Sequence, residues 1–182
     1  MKVLLINNRT IRLKQTQEML KDFEITTVDV KKLVKSDSKD HDFIVLTRGS
    51  YASAFTKSKA YDVELDLIKN SGLPVFGICM GMQLIARVFS EVTFKELIPR
   101  RRGIMEIKYN NMNLNVYNSH RWAVPDVKSP LLADSKSEDG VEIIKHKSKL
   151  IWGVQFHPEV DPEFGTNGKL IFDEFVTKIQ SK

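Results

Sequence analysis

Pro74-Val75-Phe76-Gly77-Ile78-Cys79-Met80-Gly81-Met82-Gln83 runs from one apolar element into another, with the only cysteine of the chain at the junction between two glycines. A short apolar run bounded by proline fits a buried strand, whereas the residues from Met80 to about Phe89 carry a helical pattern. Towards the N-terminus the same grammar repeats: strands are predicted at residues 2–7, 24–29, 42–47 and 73–78, with helical patterns at about 10–22 and 60–70. Strands that alternate with helices pair in parallel, because each helix carries the chain back across the sheet. The predicted fold class is therefore α/β, an open and mostly parallel sheet flanked by helices. Beyond Phe89 the pattern changes to short strands at 103–109, 112–117, 141–146 and 150–155, so antiparallel strands are added in the second half. Asn110-Asn111 suits the positive φ angles of a tight hairpin. A closing helix is expected over about 165–180, and Val127 to Gly140, rich in Ser, Asp and Lys, reads as a surface loop.

The spacing Gly77-x-Cys79-x-Gly81 has a mechanical meaning. A nucleophile on a sharp strand-to-helix turn sits in strained backbone, and neighbours without Cβ let strand and helix pack while the side chain stands clear. The helix N-terminus favours the thiolate, and the Met80 N–H points where an oxyanion would form. A lone buried cysteine is also commonly a small core residue. The second stretch that bears on this is Ile151-Trp152-Gly153-Val154-Gln155-Phe156-His157-Pro158-Glu159, a short apolar strand that delivers a histidine and a carboxylate into the loop after it. Cysteine chemistry needs both: His157 to take the thiol proton and return it to the leaving amine, Glu159 to orient the imidazole and stabilise its charged form. In isolation His-Pro-Glu reads as a surface loop; together with Cys79 in an α/β chain it reads as the rest of a triad.

Gly77-Ile78-Cys79-Met80-Gly81-Met82-Gln83 and Gly153-Val154-Gln155-Phe156-His157-Pro158-Glu159-Val160 resemble the two signatures of class I (triad) glutamine amidotransferases. That resemblance implies a flavodoxin-like sheet and a Cys-His-Glu triad of Cys79, His157 and Glu159. It implies hydrolysis of the glutamine side-chain amide through a γ-glutamyl thioester, with ammonia passed to a synthetase. It also makes Gln83 a substrate-binding residue and places the second oxyanion donor, Gly49, in Thr47-Arg48-Gly49-Ser50, where Ser50 stands in place of the family's usual proline. Arg48 lies beside the expected site, in reach of a substrate carboxylate. Ser119 and His120 resemble the Ser-His pair of the guanosine monophosphate synthetase branch, which contacts glutamine. That branch usually has an aspartate two residues later, and here the position holds Trp122. Ile6-Asn7-Asn8-Arg9 likewise lacks the glycine usual after the first strand.

Composition sets the remaining bounds. At 182 residues, 42% of them apolar, the chain has room for one well-filled core and not for a fused synthetase, so a single domain over residues 1–182 is expected. One cysteine and no long apolar run point to a soluble, cytoplasmic protein with no disulfide and no membrane partner. The net charge of +5 gathers in Arg100-Arg101-Arg102 and in lysine-rich stretches, but acidic residues interrupt them and no aromatic-interleaved basic motif is present, so no nucleic-acid partner is expected. An arginine cluster of this kind, or Arg121, suits instead an acidic or nucleotide-bearing face of a synthetase subunit.

The four histidines lack zinc-site spacing, so no metal is expected, and there is no phosphate-binding Gly-rich loop. No cofactor is expected in this chain: ATP and Mg belong on a separate ATP-pyrophosphatase synthetase subunit, most in keeping with amination of xanthosine monophosphate. Three other readings remain at this point. They are a stand-alone γ-glutamyl hydrolase or peptidase, a glutaminase for another acceptor such as chorismate, and a catalytically silent binding protein.

Overall fold

The computed structural model describes residues 1–49, 54–56 and 58–181. Ser50 of the proposed oxyanion loop lies outside the described residues. In the first half, Lys2–Asn7 (β1), Glu24–Asp29 (β2), Phe43–Leu46 (β3) and Val75–Ile78 (β4) are strands, interleaved with helices Leu13–Met19 (α1), Asp62–Asn70 (α2) and Met80–Phe89 (α3). The second half adds strands Lys95–Tyr109 (β5), Met112–Ala123 (β6), Leu131–Lys136 (β7), Val141–His146 (β8) and Ile151–Val154 (β9), then helices Asp161–Phe164 (α4) and Lys169–Gln180 (α5). Seven strands form one sheet in the order β2-β1-β3-β4-β9-β8-β7, and β5 and β6 form a separate two-stranded ribbon. From β2 through β9 the pairings are parallel; β8 and β7 add antiparallel to that edge. This is the α/β architecture expected from the strand-helix alternation.

The central strands are apolar at successive positions because helices cover both faces of the sheet. Side chains of β1, β3 and β4 divide by the two-residue period of a strand. Leu4, Ile6, Ile44, Leu46 and Val75 pack with Leu67 and Ile68 of α2 and Leu84 and Ile85 of α3. Val3, Leu5, Phe43, Val45, Phe76 and Ile78 pack with Met19 of α1 and Phe172 and Phe175 of α5 on the other face. Each such buried side chain contributes about 1.5–3 kcal/mol. Among the described residues no helix is long and apolar enough to cross a membrane.

Three expectations need correction. The Val127 to Gly140 stretch contains β7, which pairs with β8 through two register shifts. As the outermost strand of its sheet it buries Leu131 and Ser135 and leaves polar groups outward, which gave it the composition of a loop. The ribbon is longer than predicted: β5 starts at Lys95 and β6 runs to Ala123, with a break in register between Glu96 and Arg101. The closing helix starts at Lys169 and not near 165, because Gly165 takes a left-handed φ of 63° and ends the short α4 that precedes it. The Asn110-Asn111 hairpin has positive φ at both residues, as expected.

Candidate active site

A parallel pair of neighbouring strands ends on the same edge of a sheet, and that is how residues remote in sequence meet here. β4 and β9 are adjacent, with Ile78 opposite Val154, so the next residues of both strands emerge together. Cys79 turns off β4 with φ 53° and ψ −101°, a conformation that costs a non-glycine residue about 1–3 kcal/mol and is held by the packing around it. Its N–H donates to the Val154 carbonyl at 2.7 Å, and its carbonyl accepts from the Gln83 N–H in the first turn of α3.

The flanking glycines are required by contact. A Cβ on Gly77 would lie 2.5 Å from the Gly81 carbonyl carbon, and a Cβ on Gly81 would lie 2.6 Å from the Leu46 carbonyl oxygen at the end of β3. Gly49 is pressed against the start of α3: a Cβ there would fall 2.2 Å from Met80 Sδ. The loop after β3 and the residue after Cys79 are thus neighbours.

His157 and Glu159 follow β9 through a one-turn 3-10 helix at Pro158–Val160. Their side chains meet in a buried pair, with His157 Nδ1 2.7 Å from Glu159 Oε1. Tyr117 of β6 holds the histidine from behind: its carbonyl accepts the His157 N–H at 2.9 Å, and its ring centroid is 6.3 Å from the imidazole. Burial alone would depress the His157 pKa, but the Glu159 carboxylate and hydrogen bonding and charge from Cys79 outweigh it and raise the pKa to about 10. Among the described residues Nε2 has no hydrogen-bond partner of ordinary geometry. The arrangement is an imidazolium held between a carboxylate and a sulfur, able to take, carry and return one proton.

The remaining candidates surround this centre. Gln83 is buried, and its amide nitrogen donates to the Trp122 carbonyl at 2.7 Å and to Gln155 Oε1 at 3.1 Å. Gln155 in turn places Nε2 3.5 Å from Cys79 Sγ. This residue lies within the second motif, and its role is visible only once β9 is set beside β4. Ser119 Oγ accepts from Arg100 at 2.9 Å. His120 is buried with neither ring nitrogen hydrogen-bonded among the described residues, and burial lowers its pKa to about 4, opposed by Asp139. Asp139, at the β7–β8 turn, is gripped by Arg101 at 2.5 and 3.0 Å. A carboxylate therefore bears on His120 although Trp122 occupies the position of the expected aspartate. Arg101 also pairs with Glu138, so with Arg100 on Ser119 two of the three clustered arginines are engaged within the chain. For the Arg48 side chain no contact supports a substrate role.

A family model described as glutamine amidotransferase class-I matches residues 7–179. The chain is 38% identical over 127 residues to a glutamine-hydrolyzing GMP synthase subunit of Methanococcus vannielii, covering 65% of this chain and 66% of that protein. With the like-named subunit of Methanobrevibacter smithii it shares 27% over 191 residues, covering 96% and 94%. The aligned parts span slightly less than two thirds of the first relative and 63% of the corresponding Methanosphaera stadtmanae protein. Among solved structures, a putative GMP synthase subunit from Thermoplasma acidophilum superimposes with a TM-score of 0.86 over 100% of this chain and 94% of that one, at 21% identity. A glutamine amidotransferase from Thermotoga maritima gives 0.72 over 99% and 84%, at 18% identity. These two share the fold, and with the family match over nearly the whole length they place the chain: it belongs to the class I glutamine amidotransferases.

Proposed function

We propose that this chain hydrolyses the side-chain amide of glutamine on Cys79 and supplies the ammonia to a separate ATP-dependent synthetase chain that makes guanosine monophosphate from xanthosine monophosphate. The observation that carries the chemistry is the buried His157–Glu159 pair at 2.7 Å beside a cysteine on a strained turn. The Cys79 thiolate attacks the amide carbon, and the oxyanion is met by the N–H groups of Met80 and Gly49. Imidazolium His157 gives its proton to the departing nitrogen, which leaves as ammonia, and a γ-glutamyl thioester remains. A water then loses a proton to His157 and attacks the thioester; glutamate departs and Cys79 regains its starting state. Gln83, Ser119 and His120 hold the amino-acid end of glutamine. Activation of the acceptor needs ATP and Mg, which belong to the partner. The acceptor is assigned by likeness to relatives named as glutamine-hydrolyzing GMP synthase subunits.

The test is ammonia and glutamate release from glutamine and from γ-glutamyl dipeptides, alone and with the candidate synthetase chain, with Cys79→Ala as the blank. Expected are a strict need for Cys79, preference for glutamine, and a rate raised by the synthetase and xanthosine monophosphate. Rapid turnover of dipeptides with no response to the partner would mean a stand-alone γ-glutamyl hydrolase.

A further inference from the structure

Two polar side chains with no exposure to solvent take no part in the chemistry above: Asn8, just past β1, and Glu64, in the first turn of α2. They meet the end of β3 in one buried knot. The Asn8 N–H donates to Thr47 Oγ1 at 2.9 Å, and Asn8 Nδ2 donates both to the Thr47 carbonyl at 3.2 Å and to Glu64 Oε1 at 2.9 Å. Thr47 Oγ1 passes its own proton on to the Arg48 carbonyl at 3.0 Å, and the Thr47 N–H donates to the Ile6 carbonyl. Thr47 and Arg48 are the two residues before Gly49, and their backbone carbonyls are thereby both fixed. Gly49 follows them with its Cα directed at the Met80 side chain.

We infer that Glu64, acting through Asn8, is a positioning residue that fixes the loop Thr47–Gly49 so that the Gly49 N–H faces the reacting carbon at Cys79; this rests on the reading of Gly49 as an oxyanion donor. A leucine in the same helical turn would serve the core better, because the knot leaves Glu64 Oε2 and Asn8 Oδ1 without hydrogen-bond partners among the described residues. Polar groups kept at such a cost specify a geometry rather than add stability. What they specify is a distance between three elements, β1, β3 and α2, at the edge of the sheet where the candidate triad lies.

Burial holds the Glu64 carboxyl neutral up to about 8, opposed only by the Asn8 hydrogen bond. Among the described residues, charged groups on the elements packed around it are engaged elsewhere or face solvent. Lys35 pairs with Asp66, Asp37 accepts from the Val34 N–H, Arg9 pairs with Asp29, and Arg87 donates to the Ala54 and Thr56 carbonyls. Lys59 and Asp62 face solvent, and Arg48 is half-buried at the loop. At neutral pH the knot is thus an uncharged one, and its ionisation places an unpaired charge under the loop.

The test compares wild type with Glu64→Gln, Glu64→Leu and Asn8→Ser. Turnover of glutamine is measured beside the rate at which iodoacetamide alkylates Cys79, a displacement that builds no oxyanion. Glu64→Gln keeps the shape and the acceptor and is expected to keep kcat at pH 7. Glu64→Leu and Asn8→Ser are expected to lose about tenfold to a hundredfold in kcat with little change in KM, the size of a displaced oxyanion donor, while alkylation proceeds at the wild-type rate. The Gly49 amide resonance gives a readout that needs no activity: in wild type it shifts with a midpoint near pH 8, and in Glu64→Gln that step is gone. Full kcat in both Glu64→Leu and Asn8→Ser would overturn the inference, and so would a Gly49 resonance indifferent to these changes. Equal loss of alkylation and turnover would reduce the knot to a structural one. Glutamine turnover that survives Cys79→Ala would sink the proposed chemistry instead, and the Gly49 resonance would still decide the positioning role.

Discussion

At the scale of single residues, the candidate centre depends on groups held in states they would not adopt in water. Cys79 has a backbone conformation that packing imposes, His157 is buried yet held charged, and His120 is buried and held neutral. The charged histidine depends on its two neighbours. Glu159→Gln removes the carboxylate and keeps the shape, so the His157 pKa is expected to fall from about 10 towards its ordinary 6.5. NMR titration of the ring checks this, and kcat at pH 7 should fall by about tenfold or more as the imidazolium loses its support. A pKa unchanged in that variant would show that Glu159 does not hold the charge. The histidine also affects stability: its pKa is raised above the unfolded value, so its contribution is full below about 6.5 and is lost as pH rises through about 10. These candidate roles were proposed from the two motifs because a nucleophile, a base and a carboxylate are recognised by type and spacing. Gln155 and Tyr117 were not, because what they do depends on which strand lies beside them.

At the scale of elements, the joint between β4 and α3 is an interlock of glycines with backbone, and it predicts its own failure. An alanine at position 81 would drive its methyl into the Leu46 carbonyl, and one at position 77 would meet the backbone of Gly81 and Met82. Neither obstacle is the end of a flexible side chain, so the elements must separate. Gly81→Ala and Gly77→Ala are each expected to lose about 1–3 kcal/mol of stability in denaturant unfolding and to lose glutamine turnover well beyond that, because the turn carrying Cys79 moves. Wild-type unfolding midpoints would refute the interlock. By contrast Gly72 and Gly103 have nothing near their missing Cβ and are kept only by positive φ. Element boundaries in the βα half follow from apolar runs and were read closely. β7 was missed because an outer strand of a sheet keeps few apolar positions, the first arm of β5 because it is largely exposed and charged, and the far end of β6 because Asn118, Ser119 and His120 are polar although buried.

At the scale of the whole molecule, two buried carboxyls set the response to pH. Burial raises Glu64 to about 8 and Glu142 to about 7, against an ordinary value of 4.5. Between 4.5 and those values the folded chain keeps protons that the unfolded chain has released, so the contribution of these two carboxyls to stability should decline as pH rises through that window and be gone above about 8, where the loss from His157 continues. Glu64→Gln should be more stable than wild type at pH 8 and lose most of that advantage near pH 4.5, as read by denaturant unfolding at each pH; an advantage that does not vary with pH would mean the carboxyl ionises freely in the fold. The sequence by itself determined the fold class, the family and the three residues of the candidate triad, because alternating periods, tight turns and reactive groups are local patterns. Only the tertiary structure decided that β9 inserts beside β4, that Gln155 reaches Cys79, that Asp139 bears on His120, and that Asn8 and Glu64 lie against the end of β3 at Thr47. The physical reason is that strand order and contacts between distant segments follow from how whole faces bury one another, and no short stretch of sequence carries that information.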